Sequence, residues 1–274
     1  MSTQIIHELQ DLKYLEWSLI RASSGTAGSF LKATADFEKP KKYYKLSNYD
    51  TVNGIVGHEC INEIIVDRLL NILGVEHLHY DLIHAEIELK GKKEETYLCA
   101  SDDFKKKGEN KIALDAYYEA ECQKEESPLE FCIRNGWDKY IYEMLVVDFL
   151  ILNRDRHGAN IEVLRNSKQK TLRLAPVFDH GLSLLFNCNS ETAVKKFDVM
   201  ADRPVQCFVG SSSAQQNLTL IPREKLPCLQ PLNESHKKDV LTGLDEIIPG
   251  YLSEKIWDMI WQRWLYYEDF CNKK

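Results

Sequence analysis

Asn153-Arg154-Asp155-Arg156-His157-Gly158-Ala159-Asn160, followed by Val177-Phe178-Asp179-His180-Gly181, is the stretch on which the reading of this chain turns. Between the two clusters, Ile161 to Arg165 and Thr171 to Val177 read as short strands, and Asn166 to Lys170 reads as the turn joining them. Antiparallel strands return the chain to its start about 5 Å away, so the spacing predicts Asn160 and Asp179 side by side. An amide oxygen beside a carboxylate is a hard donor pair suited to Mg²⁺, which completes its shell from phosphates and water. Asp155, just upstream and free of the ion, is placed to accept a proton from an attacking hydroxyl. This is the set of groups that phosphoryl transfer needs.

Working outward, Tyr14 to Ile20 reads as a strand, Ser23 to Ser29 as a small-residue loop and Phe30 to Ala35 as a returning strand. Gly25-Thr26-Ala27-Gly28 at the loop's centre would let backbone N–H groups approach phosphates closely. Lys42 to Leu46 follows as a third strand, with Tyr43 and Lys45 on one face and Lys42 and Tyr44 on the other. Apolar spacing predicts a helix from Glu59 to Leu73 capped by Gly74. Its acidic stripe, Glu59, Glu63 and Asp67, reads as a solvated face. His77 to Leu89 and Glu95 to Ala100 read as two further strands. His77, His79 and His84 read as strand-surface residues, since no acidic or thiol group lies near them at ligand spacing.

The motif Asn153 to Asn160 with Phe178-Asp179-His180-Gly181-Leu182-Ser183 resembles the HipA-like and CtkA-like bacterial Ser/Thr kinases, whose catalytic loop reads N-x-D-x-H-x-x-N. Its D-R-H-x-x-N core is also similar to that of phosphatidylinositol 3- and 4-kinases. The resemblance implies an α+β, two-lobed protein-kinase-like fold, with a small sheet-rich lobe at residues 1–101 and a mostly helical lobe at residues 102–274. It implies ATP and Mg²⁺ as cofactors, Asp155 as catalytic base with Arg154 and His157 in the same loop, and Asn160 and Asp179 as metal ligands. Nucleotide contacts would come from Gly25, Thr26, Ala27 and Gly28, from Lys45 (or Lys32) and from the strand end at Cys99 to Ser101. Glu63, preceded by Asn62, would hold the lysine, with Glu59 as the alternative. Gly158-Ala159 stands where many HipA-like proteins carry a Lys before the Asn, which leaves phosphate contacts there to Arg154, Arg156 or Lys45. The long HipA toxins carry extra N-terminal structure, so the chain looks more like CtkA. The acceptor implied is a Ser or Thr hydroxyl on protein, including this chain itself at Ser23 to Ser29 or Ser211 to Ser213. A phosphoinositide or small-molecule kinase and a non-catalytic nucleotide-binding scaffold are the rival classes.

Composition agrees with a cytoplasmic enzyme. The 274 residues are 44% hydrophobic, enough for a sizeable core, and the net charge of -7 offers no general attraction for nucleic acid or anionic lipid. Eight cysteines form no C-x-x-C pair, and the longest apolar run, Met144 to Leu152, contains Asp148 and is too short to span a bilayer. Composition turns polar between Asp102 and Asn110, which marks the lobe boundary. Trp137 to Asn153 reads as a central buried helix that runs into the catalytic loop. Asp148 within it reads as hydrogen-bonded structure. From Leu184 to Leu226 there is little periodicity, as in an activation or docking loop. Two helices, Ser235 to Ile248 and Ser253 to Phe270, close the chain, the second with a tryptophan stripe that reads as core packing.

Overall fold

The structure, a computed structural model, describes residues 4–18, 30–35, 37–50 and 52–273. Gly25, Thr26, Ala27 and Gly28, with the neighbouring serines, lie outside the described residues. The N-terminal part is built on one sheet. Its strands are β1 (Ile5–Asp11), β2 (Lys32–Ala35), β3 (Lys42–Lys45), β6 (Asp81–Leu89) and β7 (Lys92–Asp102), in the order β1-β6-β7-β3-β2. A small ladder of β4 (Tyr49–Asp50) and β5 (Gly54–Ile55) precedes helix α1 (Glu59–Leu73), whose N–H at the left-handed Gly74 cap bonds back to Leu70.

Period-2 alternation decides what each face of the sheet meets. Ile83, Ala85, Ile87 and Leu89 of β6 and Leu98 and Ala100 of β7 face a core with Leu12, Tyr44 and Leu46. Leu82 and Cys99 point the other way, into the core of α1. Lys45 pairs in register with Cys99 and shares its face, so the strand aims the lysine at α1. The β6–β7 turn is Lys90-Gly91, both with positive φ (51° and 79°), the geometry that matches strand twist in a two-residue hairpin.

Three expectations are corrected here. Tyr14 to Ile20 is not a strand among the described residues; Ser18 makes a single antiparallel bridge to Lys32. The outer strand is instead β1, parallel to β6, a long-range pairing that short local alternation does not reveal. Regular strand begins at Asp81, because residues 77–80 are drawn toward the C-terminal part by a parallel bridge between His77 and Val177. The acidic stripe of α1 is buried, Glu59, Glu63 and Asp67 being 4%, 0% and 1% exposed. Period identified the stripe, but the sheet and the Asp179 loop cover it.

The C-terminal part is mostly helical. Strand β8 (Asn110–Ala113) leads into α2 (Leu114–Glu121), and α3 (Pro128–Arg134) starts at a reciprocal Ser127–Glu130 capping box. Helix α4 (Asp138–Ile151) is buried almost all round and ends at a left-handed Leu152. Then come β9 (Asp155–Arg156), a 3₁₀ turn at Gly158–Asn160, and the hairpin β10 (Glu162–Asn166) and β11 (Thr171–Leu174), which β8 completes as a three-stranded sheet.

Residues 184–226 do not form a long open loop. They contain α5 (Glu191–Lys196), β12 (Gln206–Cys207) and α6 (Ala214–Leu218), with Leu184, Leu185, Leu218 and Ile221 buried. The fully buried Arg263 guanidinium donates to the carbonyls of Val199, Ala201 and Phe149 and fastens this segment to α4. Helix α7 covers only His236–Leu241, because the chain turns through Gly243 at φ 72°. Helix α8 runs from Gly250 to Lys273 and buries Trp257 and Trp264.

Candidate active site

Helix α4 delivers the chain into the candidate site. At its end Asp148 accepts from Asn153 Nδ2 at 2.9 Å, and Asn153 Oδ1 accepts from the Asp155 N–H at 3.1 Å. Arg156 then turns inward and is 1% exposed. Its Nε and Nη2 donate to the two Asp148 oxygens at 2.9 Å, while Nη1 donates to the carbonyls of Asn160 at 3.2 Å and Phe178 at 2.8 Å. One guanidinium therefore ties together the two halves of the motif, the Asp155–Asn160 turn and the strand entering Asp179. The sequence-based role of Arg156 as a phosphate ligand is corrected, because all its edges are used internally.

Asp155 is left half-buried, with its side chain 28% exposed and His157 Nε2 3.6 Å away. Asn160 Nδ2 donates to the Asp155 carbonyl at 2.8 Å, so Oδ1 is the end of the amide not used in that contact. Arg154 is half-buried and donates through Nε to the Pro204 carbonyl. Beside this loop, β12 runs parallel to β9 with Gln206 opposite Asp155, and Val205 N–H bonds to the Ser212 carbonyl. The Ser211–Ser213 segment is thus one strand removed from Asp155. Its Ser213 hydroxyl caps α6 by accepting from the Gln216 N–H and donates to Asp202.

Across the site, Lys45 Nζ lies 3.0 Å from Glu63 Oε1 and 2.5 Å from Asp179 Oδ1. Lys32, paired with Lys45 in register on the neighbouring strand, reaches within 4.0 Å of Asp179 Oδ2. Both lysines considered from sequence therefore converge on the same carboxylate. Glu63 does more than hold Lys45. Its Oε2 accepts from the His180 N–H at 2.9 Å, and its Oε1 from the Gly181 N–H at 3.1 Å. Asn62 Nδ2 donates to the carbonyls of Gly181 and Ser183 at 3.0 and 3.1 Å. The Asn62-Glu63 pair clamps both the lysine and the Asp179 loop; of Asn62 the sequence reading used only its place beside Glu63. A side chain at Gly181 would stand 3.2 Å from Lys45 Nζ and Glu59 Cβ, which accounts for the absence of one.

The electrostatics follow from one ammonium shared by the buried Glu63 carboxyl and the partly exposed Asp179 carboxyl. Burial opposes the Lys45 cation, yet Asp179 and Glu63 outweigh it and hold its pKa well above that of an ordinary amine. Burial likewise opposes the Asp179 anion, but Lys45, Lys32 and Arg156 keep its carboxyl well below the usual range. Burial raises the Glu63 carboxyl against the pull of Lys45, with Asp179 adding to the rise. His180 is driven well below the usual imidazole range by burial and by Arg156, so it is neutral, and its Nδ1 faces Arg156 Nη2 at 3.2 Å.

Asp179 itself is left-handed, with φ 59°, a conformation an Asp tolerates but seldom adopts; its N–H points at the Tyr80 hydroxyl, 3.4 Å away. Asp179, held ionised, and the Asn160 amide are hard oxygen donors of the kind a small divalent cation takes; Arg156 Nη1 bridges the Asn160 and Phe178 carbonyls, and Lys45 and Lys32 lie beside Asp179. Cys99 does not fit the role drawn for it. Its thiol is 1% exposed, and its backbone is enclosed between Lys45 of β3 and Leu82 of β6, so backbone groups open to a nucleotide base begin beyond Ala100.

No protein-family model matches the sequence, and no curated protein matches it. Solved structures do. The chain is similar to the proinflammatory kinase CtkA of Helicobacter pylori, with TM-score 0.61 at 15% identity, covering 93% of this chain and 94% of that one. HipA of Shewanella oneidensis MR-1, solved with HipB and operator DNA, gives TM-score 0.48 at 14% identity over 94% of this chain and 68% of that one, and nothing here rests on it. At such identity the likeness is one of fold: a kinase-like α+β fold with a sheet-rich N-terminal part and a helical C-terminal part.

Proposed function

We propose that this chain is an ATP- and Mg²⁺-dependent phosphotransferase of the Ser/Thr protein kinase type, with residues 1–101 as the nucleotide-holding lobe and residues 102–274 as the catalytic lobe. The observation that carries this reading is Lys45 set between Glu63 and Asp179, with the Asp155–Asn160 loop tied to the same Asp179 strand through Arg156. Mg²⁺, held by Asp179 and Asn160, would neutralise charge on the phosphoryl oxygens. Lys45 and Lys32 hold those oxygens in place, and Glu63 fixes Lys45 while pinning the His180 and Gly181 amides. Asp155 accepts the proton of the acceptor hydroxyl, with Arg154 and His157 flanking it. Gly25, Thr26, Ala27 and Gly28 would close over the phosphates.

The acceptor we favour is a protein Ser or Thr, including Ser212 and its neighbours in this chain. We place the protein in the cytoplasm, a reading supported by its eight free cysteines. Among the described residues no helix is long and apolar enough to cross a membrane. Incubating the purified chain with ATP and Mg²⁺ and mapping phosphosites by mass spectrometry, beside Asp155→Ala, tests the proposal. Phosphate on Ser or Thr in wild type alone supports it. Transfer only to an inositol lipid or a small alcohol moves the chain to that class, and ATP binding without transfer to any acceptor makes it a scaffold.

A further inference from the structure

Outside the candidate active site, α1 and the segment that follows it bring three metal-ligating groups together. Asp67 lies one helical turn beyond Glu63, and after the Gly74 cap the chain folds back so that His77 and His79 stand over it. The Asp67, His77 and His79 ligand atoms all lie within 4.8 Å of one another. His77 Nε2 is 3.1 Å and His79 Nδ1 3.4 Å from Asp67 Oδ1. Ligands on a tetrahedral Zn²⁺, at about 2.0–2.1 Å from the ion, are separated by about 3.3 Å. Two edges of such a tetrahedron are therefore already set.

The hydrogen bonds around these groups supply a second, independent argument. His77 Nδ1 sits 2.7 Å from the Val75 carbonyl, a contact that needs a proton on Nδ1. That contact leaves Nε2 turned toward the Asp67 carboxylate at 3.1 Å, in a site where the His77 and Asp67 side chains are 3% and 0% exposed. A backbone carbonyl taking the remote N–H is also the usual way a ligating histidine is oriented. The Asp67 carboxylate is oriented in turn: Oδ1 accepts from Gln4 and Asn71 amides at 3.0 and 2.7 Å, and Oδ2 from the Tyr80 N–H at 2.8 Å. The His79 side chain is 69% exposed, which leaves an open path and a fourth position for water.

We propose that Asp67, His77 and His79 form a binding site for a divalent cation of the zinc class, separate from the Asn160–Asp179 pair and independent of the phosphotransferase reading. Imidazole nitrogens select such an ion over Mg²⁺. The bound ion clamps α1 to residues 75–80, and through the His77–Val177 bridge to the segment that leads into Asp179.

The test uses the full chain with accessible thiols alkylated and Mg²⁺ in excess, titrated with CoCl₂ and then ZnCl₂. One equivalent of Co²⁺ is expected to develop the visible absorption of a four-coordinate site, without thiolate charge transfer, and to be displaced by Zn²⁺. His79→Ala removes an exposed ring and should weaken binding by more than the roughly 10–100-fold that loss of an orienting partner costs. No absorption, or absorption that survives His79→Ala unchanged, overturns the proposal. Should that variant not fold, imidazole ¹⁵N spectra of the wild type decide instead. Zn²⁺ must shift His77 and His79, and shifts confined to His7, His84 or His236 refute the site.

Discussion

Two buried charge clusters sit within a few residues of each other, and they are built on opposite plans. At Asp148–Arg156 one guanidinium meets one carboxylate through two parallel bonds, and its remaining nitrogen closes on two carbonyls. Charge and hydrogen-bonding capacity are matched, and nothing is left over for a ligand. At Lys45 one ammonium faces two carboxyls, with Lys32 only at 4.0 Å and the Asp179 side chain still 22% exposed. That cluster carries surplus negative charge turned toward an opening, the condition under which a cation and an anionic ligand can be taken up together. The first cluster positions the loop, and the second is where the proposed chemistry is placed.

The comparison breaks most readily at the residues assigned to chemistry. Asp155→Ala should lower phosphoryl transfer by about 10²–10⁴-fold, the usual contribution of a positioned base, while ATP affinity stays near wild type. Asp179→Ala should lose both, because on the proposed reading one carboxylate serves cation and nucleotide alike. Steady-state rates beside calorimetric ATP binding separate the two variants, and equal loss of ATP binding would show the base to be misassigned. Next in size is Arg156→Met, which strands Asp148 in the interior and should cost about 3–5 kcal/mol in urea unfolding. Adding Asp148→Leu should restore part of it. A single variant as stable as wild type would mean the matched cluster is no scaffold. Smaller again is the ligand effect: ATP with Mg²⁺ at a hundred times its Kd should stabilise the chain by about 2.7 kcal/mol, and ATP in EDTA by much less. Melting shifts of equal size would separate Asn160 and Asp179 from the cation.

What was legible from sequence follows the same division. That the Asp155–Asn160 turn and the Asp179 segment meet could be read because a hairpin of local strands brings the motif's two halves together, and local spacing is what a sequence displays. Period alone shows Glu63 as one of three acids on a stripe and says nothing about which side is covered; the Asn62-Glu63 resemblance is what singles it out as the partner of Lys45. The parallel pairing of β1 with β6, the guanidinium of Arg263 buried under residues 199–201, and Asp67 meeting His77 around a helix cap all depend on contacts made after folding. Arg156 shows the limit most clearly. Sequence offers it as a phosphate contact beside Arg154 and Lys45, whereas its role is set by Asp148, a residue of the preceding helix that reads as hydrogen-bonded structure.

The smallest effect concerns pH and sharpens the comparison at its centre. The Asp179 carboxyl is held below its ordinary value, burial opposing and Lys45, Lys32 and Arg156 prevailing. In the unfolded chain it takes up a proton near its ordinary pKa of about 3.9, while in the folded chain it stays ionised to lower pH. The stability it contributes is therefore full above that ordinary value and is lost as pH falls through the folded one. Glu63 has the opposite sign: its carboxyl is raised by burial, so stability falls as pH rises from its ordinary value through the folded one. Asp179→Asn should flatten the acid limb of a stability–pH curve by at most about 1.36 kcal/mol per pH unit, and Glu63→Gln should flatten the limb just above it. Urea midpoints measured from pH 3 to 7 give both slopes. Parallel curves for wild type and Asp179→Asn would mean that Asp179 is not held ionised by the lysines, and that the surplus charge assigned to this cluster is absent.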